Sequence, residues 1–241
     1  ITMNLKKLHG LFLKGKLEKH SYISAMHEKH VLLFDYSEYI GDTDIESIFI
    51  EKDKIIVTIK ETKIKMFLDK SDSRFIPIEI LNFHSFDPVE KNLIFFLANQ
   101  SQIIFDIGAN IGWYSLNFNN IKNVEKVYSF EPIPRTYKYL TSHIDLNEAK
   151  KISPHNLALY NKKGEIEFFW TKKETGSSSM KNIQERKNIN KVKCKTDTLD
   201  NFVKENKTRV DMIKCDVEGS ELFVFQGSQE VLQKDKPFIF T

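Results

Sequence analysis

Cysteine is nearly absent: Cys194 and Cys215 are the only two, and no CxxC pair exists. A disulfide framework or a zinc ribbon is therefore excluded, and two reduced thiols in a cytosolic protein are expected. Long apolar runs are missing too. Stretches such as Leu93–Ala98 fall far short of the ~20 residues a membrane helix needs. No secretory pattern opens the chain, because Lys6, Lys7, Lys14 and Lys16 interrupt the patchy apolar run from Leu5 to Leu17. Arginine is scarce: of 36 basic residues only Arg74, Arg135, Arg186 and Arg209 carry the planar fork that grips phosphate bidentately. With a net charge of +3, nothing calls for a nucleic acid or an anionic membrane as partner. The expectation is a soluble, cytoplasmic chain with no nucleic-acid partner and no transmembrane segment.

What is present fits an ordinary globular protein. The 241 residues are 41% hydrophobic and 29% charged, enough for one large domain or one domain with a smaller companion. Residues 1 to about 40 read as helical, with Tyr22, Ile23, Met26, Val31, Leu32 and Phe34 giving a rough 3.6-residue apolar repeat. His20, His27 and His30 share a face of that segment and read as surface histidines rather than metal ligands. From Ile45 to Leu68 three β-branched runs, separated by Glu51–Lys54 and Lys60–Lys63, predict an antiparallel meander. Residues 1–85 thus form an accessory segment of helices and strands, expected to pack on the larger domain C-terminal to it. Asp87-Pro88-Val89-Glu90 has the composition of a capped helix start.

Beyond that start, strand and helix signals alternate. Strands are predicted over 103–105, 126–130, 152–159, 192–196, 210–215 and 237–240, with a hairpin arm over 165–170. Helices are predicted over 135–147, 199–206 and 221–234, the last broken near Gly227. Such alternation predicts an α/β fold with a parallel sheet and helices on both faces. Gly176-Ser-Ser-Ser-Met180 reads as a solvated loop, with a mobile lid as the alternative.

The chemistry gathers at the strand ends. Ile103–Phe105 runs into Asp106, then a loop holding Gly108, Ala109, Asn110 and Gly112, then a helix. That layout aims backbone N–H groups and a helix N-terminus at a ligand. A dinucleotide loop wants a middle glycine where Asn110 stands, so a diphosphate is disfavoured. S-adenosylmethionine has no phosphate, and its ammonium and carboxylate suit Asp106 and the loop donors. Glu131 ends the next strand, 25 residues after Asp106, where a carboxylate accepts from ribose hydroxyls, and Pro132 rigidifies its turn. Asn156 and Leu157, at the third strand, could border an adenine.

Asp216 and Glu218 follow the fourth core strand, and alternation puts them on one side of an extended segment. They could orient an acceptor hydroxyl, take its proton or hold a divalent cation; a helix-start carboxylate pair is the bland alternative.

At these residues the chain resembles the FkbM family of S-adenosylmethionine-dependent methyltransferases, over about Phe83 to Thr241. The resemblance rests on Asp106-Ile-Gly-Ala-Asn-Ile-Gly112, Phe130-Glu-Pro132, Thr198-Leu-Asp200, Ile213-Lys-Cys-Asp-Val-Glu-Gly219 with Glu221, and Gln226-Gly227. It implies a Rossmann-like methyltransferase domain over 86–241 that methylates hydroxyl groups, often on sugars or other natural products. Asp106 and the glycine loop would hold the methionine moiety and Glu131 the ribose, with Asp216 and Glu218 near the transferred methyl. A metal is left open. The family's fold continues past the fifth strand, so a domain ending at Phe238-Ile-Phe-Thr241 is expected to be truncated, with an exposed sheet edge or a partner such as a second copy. A nicotinamide-dependent oxidoreductase and a non-catalytic cofactor-binding relative are the alternatives.

Overall fold

A computed structural model describes residues 3–170 and 190–241, so the stretch Gly176–Met180 lies outside the described residues. The chain opens with α1 (Leu5–Leu13), α2 (Lys19–His30) and α3 (Leu32–Tyr39). The antiparallel meander comes next as β1 (Ile45–Ile50), β2 (Ile55–Ile59) and β3 (Lys65–Phe67). After it run α4 (Ile76–Phe83), α5 (Pro88–Ala98), β4 (Ile103–Ile107), α6 (Trp113–Asn119), β5 (Lys126–Phe130), α7 (Pro134–Leu146) and β6 (Ile152–His155). A smaller sheet uses β7 (Ala158–Leu159), β8 (Gly164–Trp170) and β9 (Asn190–Asp197). The chain closes with α8 (Leu199–Asn206), β10 (Met212–Cys215), α9 (Glu221–Gln226), α10 (Gln229–Lys234) and β11 (Phe238–Phe240).

Five strands pair in the order β11-β10-β4-β5-β6, every neighbour parallel. This is a Rossmann-like doubly wound sheet, and the chain order reverses between β4 and β10, where ligands bind in such folds. The near-continuous apolar runs of β4 and β10 suit strands covered on both faces. One face packs Phe105, Ile107, Phe130, Ile213 and Cys215 against Leu199 and Phe202 of α8, Val224 of α9 and Val231 of α10. The other packs Ile104, Val127, Ile152 and Met212 against α5 and α6.

That second core does not stop at residue 86. Ile45, Val57 and Met66 of the meander and Phe75 and Ile80 beside or within α4 belong to the same cluster. Each buried side chain of this size contributes ~1.5–3 kcal/mol, so the accessory segment and the larger domain stabilise one another. The attachment is also polar. Arg135, Tyr139, His143 and Asn147 recur every four residues along α7 and its C-cap, and so share one face. Arg135 pairs with Asp69, and Tyr139 Oη donates to the same carboxylate at 2.8 Å. His143 Nε2 accepts from the Phe67 N–H at 3.0 Å while its Nδ1 donates to the Ile111 carbonyl at 2.8 Å. Asn147 bonds both the N–H and the carbonyl of Lys65 at 2.7 Å.

Several local expectations are corrected. The apolar repeat spread over α2 and α3 does not face a core, since neither helix has a buried residue, whereas His20, His27 and His30 are exposed as surface histidines should be. Residues 76–83, which carry no clear signal in the sequence, form α4, with Pro77 in its first turn and Ile76, Ile80 and Leu81 buried. Asp87 does not cap α5 with its side chain; it stands at φ 46° and accepts from Tyr114 Oη at 2.9 Å. The predicted strand 152–159 divides into β6 and β7, which join different sheets. The break is at Asn156, whose amide donates to the carbonyls of Glu131 and Pro132 at 2.8 and 2.9 Å and so turns the chain.

Candidate functional site

The loop after β4 is shaped by contact with its neighbours. The N–H groups of Gly108 and Ala109 both donate to the Phe130 carbonyl, at 3.0 and 2.9 Å, tying the loop to the end of β5. Gly108 stands at φ 77°, and a Cβ there would sit 1.9 Å from the Asp216 carbonyl oxygen. Two strand ends therefore approach at backbone distance only because that residue is glycine. Asn110 takes the left-handed backbone, φ 50°, that its sequence position calls for.

Glu131 turns back towards this loop. Its carboxylate accepts from the Asn110 N–H at 3.0 Å and from the Ile133 N–H at 2.9 Å, and the residue is 6% exposed. Burial outweighs those two donors and pushes the carboxyl up to about 7. Asn156 fixes the backbone of the same turn, through the bonds given above.

Beneath the loop lies a buried polar ladder across three strands. In register, Asp106 sits beside Ser129 of β5 and Lys214 of β10. Ser115 Oγ donates to Asp106 Oδ2 at 2.5 Å and lies 2.7 Å from Ser129 Oγ. Lys214 Nζ is 3.3 Å from Asp106 Oδ1, 3.9 Å from Asp216 Oδ2, and donates to the Gly108 carbonyl at 2.9 Å. Burial disfavours the ammonium, but the charges of Asp106 and Asp216 outweigh it and hold Lys214 above the usual lysine range. Lys214 lies within one of the motifs of the family resemblance, but the sequence gives it no role. Its pairing with Asp106 comes from strand register, which one sequence does not reveal.

Two clefts open at the carboxyl ends of β4, β5 and β10. The first is lined by Gly108, Asn110, Glu131, Pro132, Leu157 and Asp216, among others, and has an apolar end made by Phe130, Ile133, Leu159, Ile166 and Phe168. The second is lined by Arg74, Glu79, Phe86, Asp87, Glu90, Tyr114, Lys214 and Glu221, among others. Asn110, Asp216 and Glu218 line both.

The sequence-predicted residues divide accordingly. Gly108, Asn110, Glu131, Pro132, Leu157, Asp216 and Glu218 come together around the first cleft. Asp106, Ala109, Gly112 and Asn156 do not line it: Asp106 is fully buried below the loop, Ala109 is buried, Gly112 begins α6, and Asn156 braces the Glu131 turn. Glu218 is not in an extended segment either. It stands at φ 52° ahead of Gly219 at φ 86°, in a turn held by Glu221 Oε1, which accepts from the N–H groups of Val217 and Gly219. Asp216 and Glu218 are both exposed at the junction of the clefts. Among the described residues no cluster of His, Cys, Asp and Glu has the arrangement of a metal site.

Comparison with known proteins agrees with this geometry. The family profile described as the methyltransferase FkbM domain matches residues 106–241, more than half of the chain. The chain is 26% identical to methyltransferase sdnD of Sordaria araneosa over 196 residues, covering 68% of this chain and 71% of that protein. It is 28% identical over 137 residues to the hexuronic acid methyltransferase AglP of Haloferax volcanii, covering 56% of this chain and 54% of that protein. It therefore spans only about half the length of AglP. Among solved structures, the METTL16 methyltransferase domain aligns over 85% of this chain and 71% of that one, at 15% identity and a TM-score of 0.41. The chain belongs to the FkbM family of methyltransferases, and its cofactor is S-adenosylmethionine.

Proposed function

We propose that this chain transfers the methyl group of S-adenosylmethionine to a hydroxyl oxygen of a sugar, glycan or other natural product. The observation that carries the reading is the joining of the two clefts at Asn110, Asp216 and Glu218. One cleft suits the cofactor, the other an acceptor, and carboxylates stand where they meet.

The residues fit the cofactor by their own chemistry. Asn110 Oδ1 is buried without a hydrogen-bond partner, an open acceptor beside the loop. The Glu131 carboxylate has lone pairs left for two ribose hydroxyls, and Leu157, Leu159 and Phe168 give an adenine an apolar seat. Asp106, out of reach of the cleft, shapes the loop through Lys214 and Ser115 instead of touching the cofactor.

Bound S-adenosylmethionine supplies a sulfonium methyl: as the acceptor oxygen bonds to that carbon, the S–C electron pair returns to sulfur, leaving a methyl ether and S-adenosylhomocysteine. Asp216 or Glu218 accepts the hydroxyl proton as the O–C bond forms. Holding acceptor and cofactor at near-attack distance is the main contribution, a term that reaches ~7–11 kcal/mol in well-oriented systems. The AglP relative, named as a hexuronic acid methyltransferase, supports an acceptor of the sugar class without fixing its charge or the atom methylated.

The test is incubation with methyl-labelled S-adenosylmethionine and a glycan and metabolite extract, followed by mass analysis of the labelled product. A labelled methyl ether, lost in Asp216→Asn or Glu218→Gln with cofactor binding retained, is expected. Label appearing on nitrogen or carbon refutes O-methyl transfer.

A further inference from the structure

The second cleft has a composition that the first does not. We propose that it admits hydroxyl acceptors that are uncharged or amine-bearing, and rejects those carrying a carboxylate, phosphate or sulfate. The proposal rests on the methyl-transfer reading, since it takes the space beyond Asp216 and Glu218 as the place where the acceptor lies.

The far wall comes from the accessory segment and the start of α5, through Arg74, Ile76, Glu79, Phe86, Asp87 and Glu90. The near wall is the end of β10 and α6, with Lys214, Asp216 and Tyr114. Cations are few and already engaged. Arg74 Nε pairs with Glu79, and Lys214 is buried between Asp106 and the Gly108 carbonyl. Among the described lining residues no other lysine or arginine faces the cleft.

Carboxylates dominate instead. Asp87, Glu90, Asp216, Glu218 and Glu221 line the same space. An anionic substituent entering here sheds water and meets like charge, while the two cations among the described lining residues are already paired with Glu79 and Asp106. A neutral polyol finds what it needs. Carboxylate oxygens accept from its hydroxyls, and the rings of Phe86, Tyr114 and Phe240 offer apolar surface to its C–H faces. An ammonium group is favoured by the charge of the lining carboxylates. Residues 74–90 thereby help set which acceptor reaches the methyl.

The experiment uses the full chain loaded with S-adenosylhomocysteine and three matched probes: the methyl β-glycosides of glucose, glucosamine and glucuronic acid. Ligand-observed saturation-transfer titrations at low salt give their affinities. The neutral and amine probes are expected to bind at least about tenfold more tightly than the glucuronide, with the gap shrinking as salt rises. Glu90→Lys, at an exposed position, is expected to narrow that gap about threefold or more. Equal binding of the glucuronide, or binding of none of the three, overturns the proposal. Calorimetry with S-adenosylhomocysteine on the same samples keeps the two readings apart, because loss of cofactor binding would instead defeat the methyltransferase reading.

Discussion

Cofactor affinity should depend on pH through Glu131. Burial pushes its carboxyl up to about 7 in the cofactor-free chain, so near neutral pH about half the molecules carry it protonated. A ribose with two hydroxyls to donate needs the ionised form, and binding must therefore release a proton. The apparent dissociation constant then scales as one plus the ratio of protonated to ionised carboxyl. Affinity at pH 6 is expected to be about tenfold weaker than at pH 8, a difference of about 1.4 kcal/mol.

The same shift fixes a sign for stability. A carboxyl raised from 4.5 to about 7 contributes fully below 4.5 and loses that contribution as pH rises through about 7. Without cofactor the loss amounts to about 3 kcal/mol, since each unit is worth about 1.4 kcal/mol. Calorimetry in phosphate and Tris, whose ionisation enthalpies differ, measures the proton directly. About half a proton should leave per cofactor bound at pH 7, and Glu131→Gln should bind weakly with no pH dependence. Equal affinities at pH 6 and 8, with identical heats in both buffers, would refute this role for Glu131.

Three further outcomes are expected. His143, pushed down to about 4 by burial, is neutral in the fold with both ring nitrogens engaged. Its contribution to stability is present above 6.5 and lost as pH falls towards 4, by about 3 kcal/mol, and urea titrations of wild type against His143→Gln should expose that slope. Gly108→Ala places a methyl 1.9 Å from the Asp216 carbonyl at a left-handed backbone angle, so a thermal-shift assay should find stability reduced by about 1–3 kcal/mol or more and cofactor protection abolished. Lys214→Met leaves Asp106 buried with Ser115 as its remaining hydrogen-bond partner, and chemical denaturation should report a loss of about 3–5 kcal/mol.

Much of the fold is legible in the sequence because the relevant signals are local. Apolar runs of five residues, a glycine-rich turn and acidic strand ends sit within short windows, which is why β4, β5, α8 and the meander lie where the pattern puts them. The failures are equally physical. Phe75–Phe83 is apolar nearly all round and carries no clear period, so nothing in it announces α4. The repeat over α2 and α3 has the right spacing, but spacing does not say that another surface will bury it. Asp87 has the composition of a cap, yet Tyr114, 27 residues away, claims its carboxylate.

The candidate site divides along the same line. Strand-end chemistry alone singles out Glu131, Asn110 and Asp216, because a residue at the carboxyl end of a parallel strand borders the switch point whatever surrounds it. For Asp106, depth is what the sequence does not show: the residue is fully buried below the loop. Register sets it beside Lys214 and Ser129, α6 closes over it, and the carboxylate becomes a brace for the loop rather than part of the cleft wall.

The amino-acid order by itself determined the parallel α/β sheet, the glycine turn after β4 and the acidic positions at the strand ends, because each depends on neighbours a few residues away. Only the tertiary structure decided that the accessory segment shares the core, that α7 clasps it through Arg135, Tyr139, His143 and Asn147, and that Lys214 joins the two central strands. Those contacts link residues tens to more than a hundred positions apart, where burial and register set the partners and no local pattern records them.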